Sequence, residues 1–235
     1  MTFTSGTPQN LQPTLELSGS QLAALIDHTL LAPEATPAQV AAALQEAQEL
    51  GAHSLCISPA RLPLPEADIP LTAVVGFPSG ADNSLAKAFS ARIAVDQGAV
   101  ELDMVVDLGA VTAGAWNAVM ADIVTVREAA PSPVILKVIL ETAYLLTLPD
   151  GAERIDRCCQ IALAAGADFV KTSTGYHPAG GATVEAVRIM HESIGGKLGI
   201  KAAGGIRSRA QALELLAAGA TRLGCSRTRA IVKDL

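Results

Sequence analysis

The chain has 235 residues, of which 50% are hydrophobic and 17% charged, with a formal net charge of −6. So much apolar material provides for a sizeable core and excludes a disordered or fibrous polypeptide. The acidic balance offers no global field for nucleic acid or an anionic membrane, and 3% aromatic residues argue against base-stacking platforms.

Residues 1–17 contain no basic segment followed by an apolar run, so a secretory signal is not expected there. Their Thr, Gln, Pro and Ser content predicts a loose tail, with residues 18–235 forming one domain that begins with an N-terminal helix. No apolar run approaches the roughly 18 residues of a membrane helix. Cys56, Cys158, Cys159 and Cys225 form no C-x-x-C pair, which fits free thiols in a reducing cytoplasm.

In chain order, the first strand candidate is LIDHT (25–29), which could instead close the helix before it. Thr36 before Pro37 then opens a helix through VAAALQEAQEL, with a cap followed by proline in the first turn. SLCIS (54–58), TAVVGF (72–77) and VELDMVV (100–106) follow, with the helical stretch SLAKAFSARIAVDQ between the last two. VILKVIL (134–140), FVKTS (169–173), GIKAA (199–203), the helix RAQALELLAA and RLGCS (222–226) complete the series. Gly-Ala pairs in ELGAHSLCIS, DQGAVELDMVV, AAGADFVKTS and AAGATRLGCS mark helix ends just before strands. Eight strands alternating with helices predict a closed (β/α)₈ TIM barrel. The rival, a doubly wound sheet, would carry a glycine fingerprint after its first strand, and none follows LIDHT.

Side chains alternate along a strand, so Asp103 shares a face with Glu101, Lys171 with Phe169 and Ser173, Lys137 with Ile135 and Ile139, and Lys201 with Gly199 and Ala203. Four neighbouring strands can therefore aim Asp103, Lys137, Lys171 and Lys201 into one lumen. One charged strand residue commonly snorkels outward between helices, but three lysines and an aspartate on consecutive strands favour a shared polar site.

Such a site suits amine chemistry. A lysine must be neutral to attack a carbonyl, whereas its reference pKa is about 10.4. A second ammonium about 5 Å away, at an effective dielectric near 20, adds about 3.3 kcal/mol of repulsion, or roughly 2.4 pK units. Lys201 is thus expected to hold Lys171 as a Schiff-base nucleophile, with a carboxylate moving protons through a water. Gly204, Gly205 and Arg207 in KAAGGIRS follow the seventh strand, where barrels bind phosphate through backbone N–H groups. His28, His53, His177 and His191 show no metal-ligand spacing, and His28 is expected to be a hydrogen-bonded core residue. Glu141, ending VILKVILET, could pair with Lys137, cap a helix or face the rim.

With LIDHTLL, ELDMVV, LKVILET, FVKTSTG and KAAGGIR in hand, the sequence resembles the deoxyribose-phosphate aldolase family from about residue 20 onward. The resemblance implies a metal-free and cofactor-free class I aldolase on a (β/α)₈ barrel. Its reaction would be reversible cleavage of 2-deoxy-D-ribose 5-phosphate to D-glyceraldehyde 3-phosphate and acetaldehyde. It implies Lys171 as the Schiff-base lysine, Lys201 as the lysine that tunes it and Asp103 as the proton relay. Asp27, Thr29, Cys56, Lys137, Thr172, Gly204, Gly205, Ile206, Arg207, Gly224 and Ser226 correspond to substrate-site residues. The implied partners are the phosphorylated deoxysugar and acetaldehyde, without nucleic acid or membrane, in a cytoplasmic protein that could be a homodimer.

Three departures from the family pattern stand out: the IVKDL ending has no tyrosine, Tyr176 replaces a lysine of some members, and Arg227 and Arg229 follow GCS. These two arginines are expected to face solvent rather than the phosphate. Another Schiff-base barrel enzyme acting on a different sugar phosphate, or a binding-only barrel for a phosphorylated metabolite, shares much of this pattern. Borohydride trapping of a carbonyl adduct separates the binding-only reading from the two enzymes.

Overall fold

Eight parallel strands close into a barrel in simple chain order. They are β1 (Ile26–Leu30), β2 (Ser54–Ile57), β3 (Leu71–Val75), β4 (Glu101–Val105), β5 (Ile135–Ile139), β6 (Phe169–Lys171), β7 (Gly199–Ala203) and β8 (Arg222–Cys225). The computed structural model describes residues 16–233, so residues 1–15 of the expected tail lie outside the described part. Leu17, at the end of that tail, packs against the core, and its carbonyl accepts a hydrogen bond from Arg209.

Helix α1 (Gly19–Ala23) precedes the barrel and begins with a reciprocal cap between Ser18 and Gln21. Helix α2 (Pro37–Leu50) starts as expected, with Thr36 and Gln39 forming the same box, and ends at Gly51 with φ 66°. A left-handed turn there needs a residue without a Cβ penalty. The ring continues with α3 (Ser84–Asp96), α4 (Leu108–Ala113), α5 (Trp116–Ala129), α6 (Thr142–Leu145), α7 (Gly151–Ala164), α8 (Val184–Ile194), α9 (Arg209–Ala217) and α10 (Thr228–Val232). The alternation fails once: between β2 and β3 there is only a short 3₁₀ turn, Pro59–Arg61. Pro59, Pro63, Pro65 and Pro70 fall in that crossover and remove the amide donors an α-helix would need.

The strands face two environments. Outward residues such as Leu102, Met104, Leu136, Val138, Val170, Ile200 and Leu223 are buried in the layer between sheet and helices. Each contributes about 1.5–3 kcal/mol through removal of apolar surface from water. Inward residues include buried Asp27, Glu101, Asp103, Lys137, Lys171 and Lys201. The apolar layer therefore holds the barrel closed while the lumen carries the charge. Among the described residues, no helix is long and apolar enough to cross a membrane.

Candidate active site

Register brings the charged side chains together. Asp103 lies opposite Lys137 across β4 and β5, and Lys171 lies opposite Lys201 across β6 and β7. Asp103 Oδ1 accepts from Lys137 Nζ at 2.8 Å, while Oδ2 accepts from both Lys171 and Lys201 at 2.7 Å. Lys201 also pairs with Asp27 at 2.5 Å, and Lys137 with Glu101 at 2.6 Å. Arg222 completes the network by reaching Asp27 at 2.8 Å and Glu101 at 3.2 Å. One aspartate thus joins all three strand lysines.

Burial alone would raise the Asp103 and Asp27 carboxyls. The neighbouring lysines outweigh burial and hold Asp103 well below the usual range, and Lys201, Lys137 and Arg222 do the same for Asp27. Burial opposes charge on Lys201 and Lys137, but Asp103, with Asp27 for Lys201, raises both above the ordinary lysine value. These two are therefore firmly ammonium. Asp27, Glu101 and Asp103 supply three negative charges against four cations, Lys137, Lys171, Lys201 and Arg222. The cluster becomes neutral when one of the four gives up its proton.

Only one of the lysines meets open space. Lys171 lines a cavity of about 300 Å³, whereas Lys137 and Lys201 are completely buried beneath it. The volume suits a small ligand rather than a polymer. Thr29, Thr174, Tyr176, Gly204, Gly205, Ile206, Gly224 and Ser226 form much of the remaining wall, in which Lys171 is the charged side chain among the described residues. Gly204 has φ 90°, and a Cβ there would come within 3.0–3.2 Å of Gly181 and Gly175. Glycine thus provides the left-handed turn and lets the loops after β6 and β7 touch. At Gly224 a Cβ would lie 3.2 Å from Lys201 Cε and 2.9 Å from Ala203 Cβ, so this glycine clears space for the lysine stem.

Of the residues expected from sequence, Lys171, Thr29, Gly204, Gly205, Ile206, Gly224 and Ser226 share the cavity. Asp103, Lys201, Asp27 and Lys137 form the ionic layer beneath. Three others stand apart from the wall. Cys56 is buried with Leu31, Val74 and Phe77, and burial raises its thiol above the ordinary value. Thr172 points away from Lys171 by strand alternation, and its hydroxyl bridges the Ala203 amide and carbonyl at 3.0 and 3.1 Å. Arg207 is exposed and outside the cavity wall, and its backbone N–H donates to Gln211 Oε1.

The arginines after GCS also avoid the cavity wall: Arg227 is exposed, and Arg229 pairs with Glu46 and Glu49. His28 Nδ1 meets Thr228 Oγ1 at 2.8 Å, as expected for a core histidine. Sequence reasoning missed Arg222 and the connecting role of Glu101. Both had a usable signal, since Arg222 lies two residues before Gly224 and Glu101 two before Asp103. Asp27, His53 and Glu101 also bring potential metal-ligand atoms within 4.8 Å of one another. Their carboxylates are already engaged by Lys137, Lys201 and Arg222, whose charges would repel a divalent ion.

Glu141 does not pair with Lys137. It is buried at the end of β5, has φ 56°, and accepts from the Thr174 backbone and hydroxyl. Burial pushes its carboxyl above the usual range despite those bonds.

Residues 21–233 match the family model described as DeoC/LacD family aldolase. A deoxyribose-phosphate aldolase from Nocardia farcinica is 57% identical over 213 residues, covering 91% of this chain and 94% of the relative. Another from Kocuria rhizophila is 53% identical over 221 residues, with 93% and 99% coverage. Among solved structures, a tetrameric deoxyribose phosphate aldolase from Aeropyrum pernix superposes with TM-score 0.82 at 30% identity, covering 92% of this chain and 91% of that one.

Proposed function

The chain belongs to the DeoC/LacD family of aldolases, and from that premise we propose that it reversibly cleaves 2-deoxy-D-ribose 5-phosphate through an imine on Lys171. The observation that supports this reading is that Lys171 alone of the ion-paired lysines opens into the cavity. Its access and the surplus positive charge of the cluster make it the amine best suited to attack an aldehyde.

In the cleavage direction, Lys171 Nζ adds to C1 of the open-chain sugar, and loss of water gives a protonated imine. A base takes the C3 hydroxyl proton as the C2–C3 bond breaks. That bonding pair forms the enamine C1=C2 bond, and C3 becomes the aldehyde carbon of glyceraldehyde 3-phosphate. Protonation of C2 and hydrolysis of the imine then release acetaldehyde and restore the amine. Asp103, which accepts from Lys171 at 2.7 Å, is placed to exchange protons through a water. Lys201 keeps positive charge behind the reacting nitrogen. The protonated imine draws electrons from the breaking bond, so the step needs no Lewis acid. Activity is therefore expected to survive exhaustive EDTA treatment. Complete loss in EDTA with recovery on adding a divalent ion would overturn this.

The phosphate is assigned to the Gly204–Gly205 loop, with Gly224 and Ser226 facing it from β8. Arg207 follows that loop as an exposed, salt-screened cation. Arg207→Ala is therefore expected to raise KM for the phosphorylated sugar by up to about fivefold, as for a weak surface ion contact. Unphosphorylated deoxyribose should respond little. Equal losses on both sugars would remove Arg207 from phosphate recognition.

The decisive experiment is cleavage of deoxyribose 5-phosphate followed by mass mapping of the borohydride-reduced adduct. We further read the protein as a cytoplasmic enzyme acting on small molecules, and its mass in solution tests whether it forms a homodimer.

A further inference from the structure

Glu141 has the one positive φ among described non-glycine residues, 56°. Its carboxylate is almost completely buried, and its hydrogen bonds run to Thr174. Such a conformation costs energy in any residue with a Cβ, and a buried carboxylate adds to the cost, with Lys171 and His177 acting on it only through space. Both features converge on the loop that leaves the barrel after Lys171. Leu140 N–H donates to the Lys171 carbonyl at 2.9 Å, and Thr142 N–H to the Thr172 carbonyl at 2.8 Å. Between those two bonds, Glu141 Oε2 accepts from the Thr174 amide at 3.2 Å and from its hydroxyl at 2.5 Å. The same hydroxyl oxygen accepts from Tyr176 N–H at 3.1 Å.

The donors and acceptors therefore run in one direction, from the Tyr176 amide through the Thr174 hydroxyl to the Glu141 carboxylate. Thr174, Gly175 and Tyr176 line the cavity, and Gly175 packs on Gly204 of the glycine loop. Tyr176 is further braced edge-on against Phe77, with ring centroids 5.3 Å apart. We propose that Glu141 is a positioning residue that sets the sugar-side wall of the cavity through Thr174. This rests on the reading of Lys171 as the imine-forming lysine. A two-carbon unit on Lys171 needs little of this wall, whereas the remaining three carbons and the phosphate extend into it.

Glu141→Gly is the sharpest variant, because glycine accepts φ 56° without strain while the whole side chain, carboxylate included, is removed. Relief of the strained backbone offsets only part of the lost buried hydrogen bonds to Thr174, so the melting temperature should fall by about a few degrees while the protein stays folded. KM for 2-deoxyribose 5-phosphate should rise about tenfold with kcat changed less than about threefold, a loss of ground-state positioning. Borohydride trapping of acetaldehyde at Lys171 should stay within about twofold of wild type. Glu141→Gln, which retains one acceptor oxygen, should recover part of the KM. Thr174→Val should raise KM as well, and the double variant should be no worse than the poorer single one, because both break the same link. Unchanged KM in folded Glu141→Gly, additive losses in the double variant, or a parallel fall in acetaldehyde trapping would each overturn the proposal. A wild-type protein that traps acetaldehyde but does not cleave the sugar phosphate would instead overturn the substrate reading.

Discussion

Lys171→Ala is expected to abolish cleavage of deoxyribose 5-phosphate, with a fall on the order of 10⁴-fold or more, as when a covalent nucleophile is removed. The variant should nevertheless fold. Its loss leaves Lys137, Lys201 and Arg222 against Asp27, Glu101 and Asp103, three charges on each side. Asp103 Oδ2 keeps its 2.7 Å bond to Lys201, so no buried carboxylate is stranded. A buried pair broken on one side commonly costs about 3–5 kcal/mol, and this variant escapes that penalty. The measurement is borohydride reduction with acetaldehyde at neutral pH, followed by peptide mass mapping. Wild type should carry an ethyl group on Lys171, and the variant none. An adduct of equal yield on Lys201 in the wild-type protein would reverse the assignment.

Why the sequence pointed to this lysine, and where it stopped, follows from what strand alternation encodes. Alternation specifies the face of a side chain, which is why Asp103, Lys137, Lys171 and Lys201 were expected in one lumen and are joined there. It does not specify depth. Lys171 and Lys201 are register partners, yet one lines the cavity and the other is fully covered. That difference depends on the loops above the strands, which the local pattern does not encode. Cys56 shows the same limit, since Leu31, Val74 and Phe77 cluster around a residue at a strand end. Arg207 was expected to face an anion because it follows two glycines, but its side chain is turned to solvent. Glu141 was the hardest to place. Its positive φ and its grip on Thr174 arise only when the ends of β5 and β6 come together. The β2–β3 crossover departs from the expected alternation of strand and helix, and the physical reason lies in its four prolines, which the periodicity of the flanking segments does not weigh.

Lys201 is the residue whose replacement best tests charge coupling. Lys201→Ala leaves three carboxylates and three cations, one of which is now Lys171. The surplus positive charge that favours a free amine is gone, and Asp103 is left to hold Lys171 as ammonium. The midpoint of the pH profile for acetaldehyde trapping should therefore lie at more alkaline pH than in wild type, because a positive neighbour of the reacting amine has been removed. The sign follows from charge: removing a positive neighbour favours the protonated amine, so more alkaline conditions are needed to expose the nucleophile. Turnover should recover only in part at high pH, because Asp27 and Asp103 have also lost a bonded partner. Lys201→Arg keeps the positive charge while changing the shape of the group that holds Asp103, since guanidinium stays charged at every working pH. Space is tight beside Gly224, so this variant should lose about 1–3 kcal/mol of stability and is best measured well below its melting point. Its trapping midpoint should stay near that of wild type while turnover falls. Identical midpoints in wild type and Lys201→Ala would show that Lys201 does not control the charge state of the reacting amine.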